Sequence, residues 1–123
     1  MNLADLAGRR GGGRWPAMNE WPELDDGWAS HAPVGTYLAN PFGLHEVYGN
    51  VWEWCRDAYF ATYYETSGDQ DPLALPDEAG SMHANRGGGF ANGHSSARSS
   101  NRDMLKSDTR TGSLGVRPAR QIR

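Results

Sequence analysis

Apolar and polar residues alternate best over 51–56 (VWEWCR), where Trp52 and Trp54 fall on one face. That period of two, though loose, predicts a strand. Residues 58–65 (AYFATYYE) read as a short helical turn. Across 1–35 no apolar period of 3.6 survives Pro16 and Pro22, so the stretch reads as irregular. It holds a Gly-rich turn at Gly11–Gly13, and Trp15, Trp21 and Trp28 spaced among prolines and acids. Residues 32–44 (APVGTYLANPFGL) suggest two extended pieces joined by a turn at Asn40–Pro41. Residues 66–81 are an Asp-, Gly- and Pro-rich loop. Residues 83–90 (HANRGGGF) enter a strand, and the three glycines imply close backbone packing or positive φ. Residues 91–113 are small and polar and read as surface loop, and 114–120 (LGVRPAR) as a short closing strand that Pro118 ends. There is no internal repeat and no domain boundary.

Composition sharpens this into a loop-rich single domain. With 123 residues, 37% hydrophobic and 16 Gly, long core helices are not expected. Five Trp and five Tyr are expected to carry much of the burial, at about 150–250 Å² each. The net charge of −3 hides an asymmetry: residues 1–85 hold 13 Asp/Glu and 4 Arg, residues 86–123 hold 2 Asp and 8 Lys/Arg. A basic tail can serve nucleic acid, but its cations are interleaved with Gly, Ser and Thr, with Phe90 the one aromatic. Pairing between the two halves is the simpler account, which argues against nucleic acid as a partner. No apolar run approaches the roughly 20 residues of a membrane helix, and MNLADLAGRR has no secretory core. Cys55, the single cysteine, excludes an internal disulfide and a CxxC pair; the cytoplasm is the default compartment.

Two glutamates, Glu46 and Glu53, sit in the most aromatic stretch of the chain, on either side of Gly49–Asn50. Such a pair suits a catalytic acid–base couple, a zinc site, or a hard-cation site built partly from backbone oxygens. It also suits the solvated edge of a buried strand. The His45–Glu46 start of a zinc-protease motif fails, because Gly49 stands where the second His belongs. Gly87–Gly89 is followed by no Gly-Lys-Ser/Thr, no G-x-S-x-G occurs, and His31, His45, His83 and His94 lack ligand spacing. Spacing alone does not exclude a glycosidase pair, though nearby carboxylates without a groove are more often structural or metal-binding.

NPFGLHEVYGNVWEWCRDAY (40–59), DP (71–72), RGGGF (86–90), ARSSNR (97–102) and LGVRPAR (114–120) come in one order. In that order they resemble the closing half of the sulfatase-modifying-factor domain, the family of formylglycine-generating enzymes. NLAD (2–5), DDGW (25–28) and APVG (32–35) resemble its lead-in, so the likeness covers essentially all of residues 1–123. It implies an α+β, C-type-lectin-like fold, loop-rich and here lacking the N-terminal half of the domain. The chain is then a partial domain, whose partners are that missing half or a second copy.

Catalytic members use copper, held by two cysteine thiolates, and O₂ to convert a sulfatase cysteine to formylglycine. Here Asn92 stands at the first of those positions and Ala97 near the second, and residues 86–123 hold no Cys. Soft copper needs sulfur ligands, so the resemblance argues against copper and assigns no catalytic residue. Gly89 replaces the usual Ser. The resemblance also implies calcium at two places. One set is Glu46 and Glu53 by side chain with Gly49 and Val51 by carbonyl. The other is Asn2 and Asp26 by side chain with Leu3 and Trp28 by carbonyl. Calcium takes 6–8 oxygens and readily mixes carboxylates with carbonyls.

The leading reading is therefore a calcium-stabilised member without the oxidase activity, whose role lies in binding. Its ligand-binding candidates are Asn92, His94, Ser95 and Arg98, facing a protein or peptide. The frame 86–117 also resembles the variable proteins of diversity-generating retroelements, with small polar residues at 91–96 and at Thr109, Thr111 and Ser113. The rival reading is an active oxidase whose copper ligands lie elsewhere. A third is a structural remnant with no ligand.

Overall fold

The computed structural model describes residues 1–70, 72–75 and 81–119, so parts of the loop read over 66–81 and the end of 114–120 lie outside it. Four strands form one mixed sheet: β1 (Trp52–Ala58), β2 (Met82–Arg86), β3 (Asp103–Lys106) and β4 (Leu114–Gly115), ordered β3-β2-β1-β4. The alternation read over 51–56 is β1, and its Trp52 is buried. β1 and β2 run antiparallel, Glu53 opposite Arg86 and Trp54 opposite Asn85, with a shift in register before Ala58 meets His83. β4 joins β1 in parallel, with Trp52 opposite Leu114 and Glu53 opposite Gly115. It forms one edge of the sheet among the described residues, and Val116 just beyond it is 74% exposed.

Three expectations need correction. The first 35 residues are not wholly irregular: α1 (Leu6–Arg10) forms because Asp5 caps it, accepting from the Gly8 N–H at 2.8 Å, with Arg9 and Arg10 at its negative end. A 3₁₀ turn follows at Pro16–Asn19, started by the fixed φ of Pro16. The polar stretch 91–113 contains β3, which pairs with β2 over four positions. The pieces around Asn40–Pro41 turn as expected, with Gly43 donating to the Asn40 carbonyl, but no strand forms there. The helical turn read over 58–65 is α2, placed at Tyr63–Thr66.

The core is not the aromatic one that composition suggests. Its buried apolar residues are Leu3, Met18, Trp52 and a set of alanines (Ala4, Ala7, Ala32, Ala58, Ala74, Ala84, Ala97). Trp21 and Trp28 are 44% and 37% exposed, and Trp15 packs edge-on against Phe90. Four polar residues are buried with the alanines: Asn2, Asp5, Asn50 and Asn85. Small side chains bury little area each, so hydrogen bonds between loops must define much of the fold. The architecture is α+β and loop-rich. Among the described residues no helix is long and apolar enough to cross a membrane.

Candidate functional site

The segment 46–53 meets the first residues of the chain at a buried joint between Asn2 and Gly49–Asn50. Gly49, at φ +80°, forms a bridge with Asn2, and a Cβ on it would lie 2.2 Å from the Asn2 carbonyl oxygen. Asn50, at φ +68°, donates its N–H to that same oxygen at 2.7 Å. Its side chain closes the joint: Oδ1 accepts from the Ala32 N–H (2.9 Å) and Asn2 Nδ2 (3.3 Å), and Nδ2 donates to the Ala32 carbonyl. Phe90 N–H donates to the Asn50 carbonyl, tying in the triple-glycine segment. Asn tolerates this left-handed conformation better than most residues, and that was the one signal in the sequence for Asn50.

Glu46 and Glu53 do face one cavity, of about 280 Å³, lined also by Val34, Asn50, Val51 and Arg117. Each already has partners. Glu46 accepts from the N–H groups of Gly35 (2.9 Å) and Tyr37 (3.0 Å). Burial works against its charge, but those two bonds and nearby cations outweigh it and hold its pKa below the usual range. Glu53 takes a two-pronged pair from Arg117, Nε at 2.9 Å and Nη2 at 2.6 Å, and Nη2 also donates to the His45 carbonyl. The bond to Glu53, above all, pushes the Arg117 pKa up. A guanidinium therefore lies where the sequence reading has a cation. A calcium ion at 46–53 competes with Arg117 for Glu53 and with two amides for Glu46.

The second candidate set is arranged differently. Asn2 is fully buried and its Oδ1 accepts no hydrogen bond. Asp26 accepts from Leu3 N–H through Oδ2 and from Trp28 N–H through Oδ1, both at 2.9 Å. Burial pushes its carboxyl pKa up; the two N–H bonds pull back, and the charge of Asp5 adds to the rise. The Tyr37 hydroxyl is likewise buried without a partner. Burial first, then Asp26, Asp5 and Glu46, push its pKa up to about 12. An unsatisfied Asn2 oxygen next to Leu3, whose N–H holds the half-buried Asp26 carboxylate, suits a hard cation that neutralises the site. Among the described residues no three His, Cys, Asp or Glu side chains converge as ligands, so any ion here relies on amide and carbonyl oxygens beside the Asp26 carboxylate.

The loop 91–98 divides into an inward and an outward part. Asn92 points in: its Oδ1 accepts from Trp52 Nε1 (2.9 Å) and Gly89 N–H (3.2 Å), and its carbonyl from Ala4 N–H (2.9 Å). Ala97 is buried. His94, Ser95 and Arg98 lie on the exposed side, organised by Glu20, a residue that sequence reading missed. Glu20 accepts from Ser95 N–H (3.1 Å) and Oγ (3.0 Å) and sits 3.4 Å from His94 Nδ1. The Ser95 bonds hold its carboxyl pKa low. A Cβ on Gly93 would come within 2.2 Å of that carboxylate, so glycine is needed for the approach. Trp21 stands edge-on to the His94 ring, and Arg98 Nε donates to the Ser95 carbonyl. Cys55 lies elsewhere, half-buried on β1, where burial pushes its thiol pKa up.

Comparison with known proteins gives consistent matches. Residues 5–122 match the sulfatase-modifying factor enzyme 1-like domain. The formylglycine-generating enzyme of Streptomyces coelicolor is 38% identical over 136 aligned residues, which take in 93% of this chain and 41% of that enzyme. The serine/threonine-protein kinase pkn1 of Chlamydia caviae is 41% identical over 56 residues, 46% of this chain and 9% of the kinase. The solved structure of PvdO from Pseudomonas aeruginosa superposes with a TM-score of 0.66 at 26% identity, over 75% of this chain and 34% of its own. The chain thus spans less than half the length of these relatives.

Proposed function

Because the chain belongs to the family of sulfatase-modifying factor enzyme 1-like domains, we propose that it is a member that keeps the family's frame without copper-dependent cysteine oxidation. The observation that supports this is Asn92. It stands where the resemblance places a copper thiolate, and its side chain is committed inward to Trp52 and Gly89. Amide oxygen is a poor ligand for Cu(I), and the Ala97 methyl is none at all. Incubation with Cu(I), O₂ and a sulfatase-motif peptide is expected to give no Cys-to-formylglycine mass change above a copper-only control. Turnover above that control would overturn the reading.

The role that remains is binding. His94, Ser95 and Arg98 form a polar, exposed face beside Trp21 that suits a protein or peptide segment, with Asn92 holding the loop from beneath. The frame is read as C-type-lectin-like, a reading supported by the late strand β4 closing against β1. The open edge of β4 suits a strand from a further part of the domain or from a second copy. One cysteine and no internal disulfide suit the cytoplasm.

Calcium is proposed at the Asn2, Leu3, Asp26 and Trp28 set, where Asn2 Oδ1 has no hydrogen-bond partner and burial raises the Asp26 carboxyl pKa despite its two N–H bonds. At the Glu46, Gly49, Val51 and Glu53 set, an ion needs Arg117 to turn away. An ion bound only by the folded chain adds about 2.7 kcal/mol at one hundred times its Kd. EDTA is therefore expected to lower the melting temperature by roughly 10 °C. Calcium should restore it where magnesium, with its stricter octahedron, does not. Asn2→Ala should abolish the response, and a melt indifferent to EDTA and calcium would sink the assignment.

A further inference from the structure

Two cavities meet at the open edge of the sheet, one on each face. Glu53 lines the first, of about 280 Å³, and Trp54 the second, of about 270 Å³. These residues are consecutive on β1, so their side chains point to opposite faces. Gly115 and Val116 line both cavities, which sets the edge strand β4 between them. The Trp52 N–H donates to the Ser113 carbonyl, so by the alternation of a parallel ladder residues 113 and 115 turn their polar groups to β1. Those of Leu114 and Val116 turn outward. Among the described residues only the Leu114 N–H of that outward set is engaged, by the Thr111 carbonyl at 3.4 Å.

The two cavities differ in chemistry. On the Trp54 face the indole, held edge-on to the His83 ring, forms a floor beside Thr109, Arg110 and Thr111. Arg110 is exposed, and no ion pair engages it among the described residues. On the Glu53 face the charges are already matched, Glu53 by Arg117 and Glu46 by two amides. What that cavity still offers is apolar, from Val34, Val51, Val116 and Pro118. Val34 and Val116 are 90% and 74% exposed, so a cover over them removes apolar surface from water. An open edge with a pocket above and a pocket below suits strand addition. Main-chain bonds then give affinity, and alternate side chains in the pockets give specificity.

We propose that β4 takes up an extended segment of a partner protein in which acidic and apolar residues alternate. The acidic side chain lays its stem on the Trp54 indole and pairs with Arg110, the unmatched charge at this edge. The next side chain points to the other face and fills the valine-lined cavity. This rests on the binding reading above and adds a surface that shares no residue with the 91–98 face.

The test uses the full chain and, as probe, a capped, dye-labelled peptide of alternating valine and glutamate, followed by fluorescence anisotropy. Saturable binding is expected. Arg110→Ala should weaken it about 10-fold, the scale of one charge-assisted hydrogen bond. A peptide with lysine for glutamate should bind at least as poorly, and methylating alternate peptide amides should abolish binding by removing the main-chain bonds. Arg110 is exposed, so its loss should leave the melt unchanged. No binding, or binding indifferent to Arg110→Ala and to amide methylation, overturns the proposal. Loss on Ser95→Ala with none on Arg110→Ala places the peptide on the 91–98 face, so this proposal falls while the binding reading stands. Sedimentation of the chain alone checks the rival occupant: a dimer that the peptide fails to dissociate means that a second copy covers the edge, and the proposal falls.

Discussion

Gly49→Ala is expected to melt about 7–18 °C below the parent chain, while Gly43→Ala loses only about 4–7 °C. Both glycines have positive φ, +80° and +77°. Alanine in that region costs roughly 1–2 kcal/mol at either site. The surroundings separate them. Nothing lies within 4 Å of a Cβ on Gly43, whereas on Gly49 it would meet the Asn2 carbonyl oxygen at 2.2 Å and its carbon at 2.9 Å. Those atoms are backbone, and the oxygen also holds the Asn50 N–H. They cannot swing aside as a side chain would, so overpacking adds about 1–3 kcal/mol. A total of about 2–5 kcal/mol gives the stated shift in a domain of this size. Thermal melts of the two variants side by side test the argument. Equal losses would mean that φ strain alone matters and that the contact with Asn2 yields easily.

Asn92→Ala is expected to cost about 2–4 kcal/mol, more than a typical loop substitution. Two donors, the Trp52 indole N–H and the Gly89 N–H, lose their shared acceptor. Each stranded buried donor costs about 1–3 kcal/mol. Trp52 is only 8% exposed, so water reaches its indole poorly unless the strand end opens. Asn92→Asp, which keeps the acceptor oxygen, should recover most of the loss. Denaturant melts give the energies, and exchange of the Trp52 indole proton reports the local opening. If Asn92→Ala is neutral, the loop is not held from beneath and the structural role assigned to Asn92 fails.

Where the chain carries a short-range pattern, the sequence showed the structure. Trp52 and Trp54 alternate with polar residues and form β1. Helix α1 escaped because five residues are barely more than one turn, too few for an apolar period to register. It rests on the Asp5 cap, which only a residue-by-residue search for N-caps would find. β3 escaped for a related reason: at the sheet edge only Leu105 is partly buried, so no alternation is imposed on its side chains. Composition misled on the core. Tryptophans were expected inside, yet loops packed through Asn2, Asp5 and Asn50 leave room for alanines instead. At the site, Glu46 and Glu53 stood out against their aromatic setting, but their partners did not. Arg117 lies 64 residues from Glu53, and Glu20 lies 75 from Ser95, separations at which pairing leaves no local trace.

The grip on residues 49–53 also dictates an order of events when the chain folds. The middle of the sequence is held from one side by Asn2, 48 residues before Asn50, and from the other by β4 and Arg117, 64 residues after Glu53. Both loops must close before these contacts repay the lost chain entropy, and closure over such spans gains nothing on the way. During synthesis β1 emerges with its N-terminal partner already made, while its parallel neighbour is still tens of residues from existing. Until Leu114 and Arg117 arrive, that edge of β1 and the carboxylate of Glu53 stand open. β4 and Arg117, made after β1, therefore lock the middle of the described sheet, whose other side Asn2 already holds.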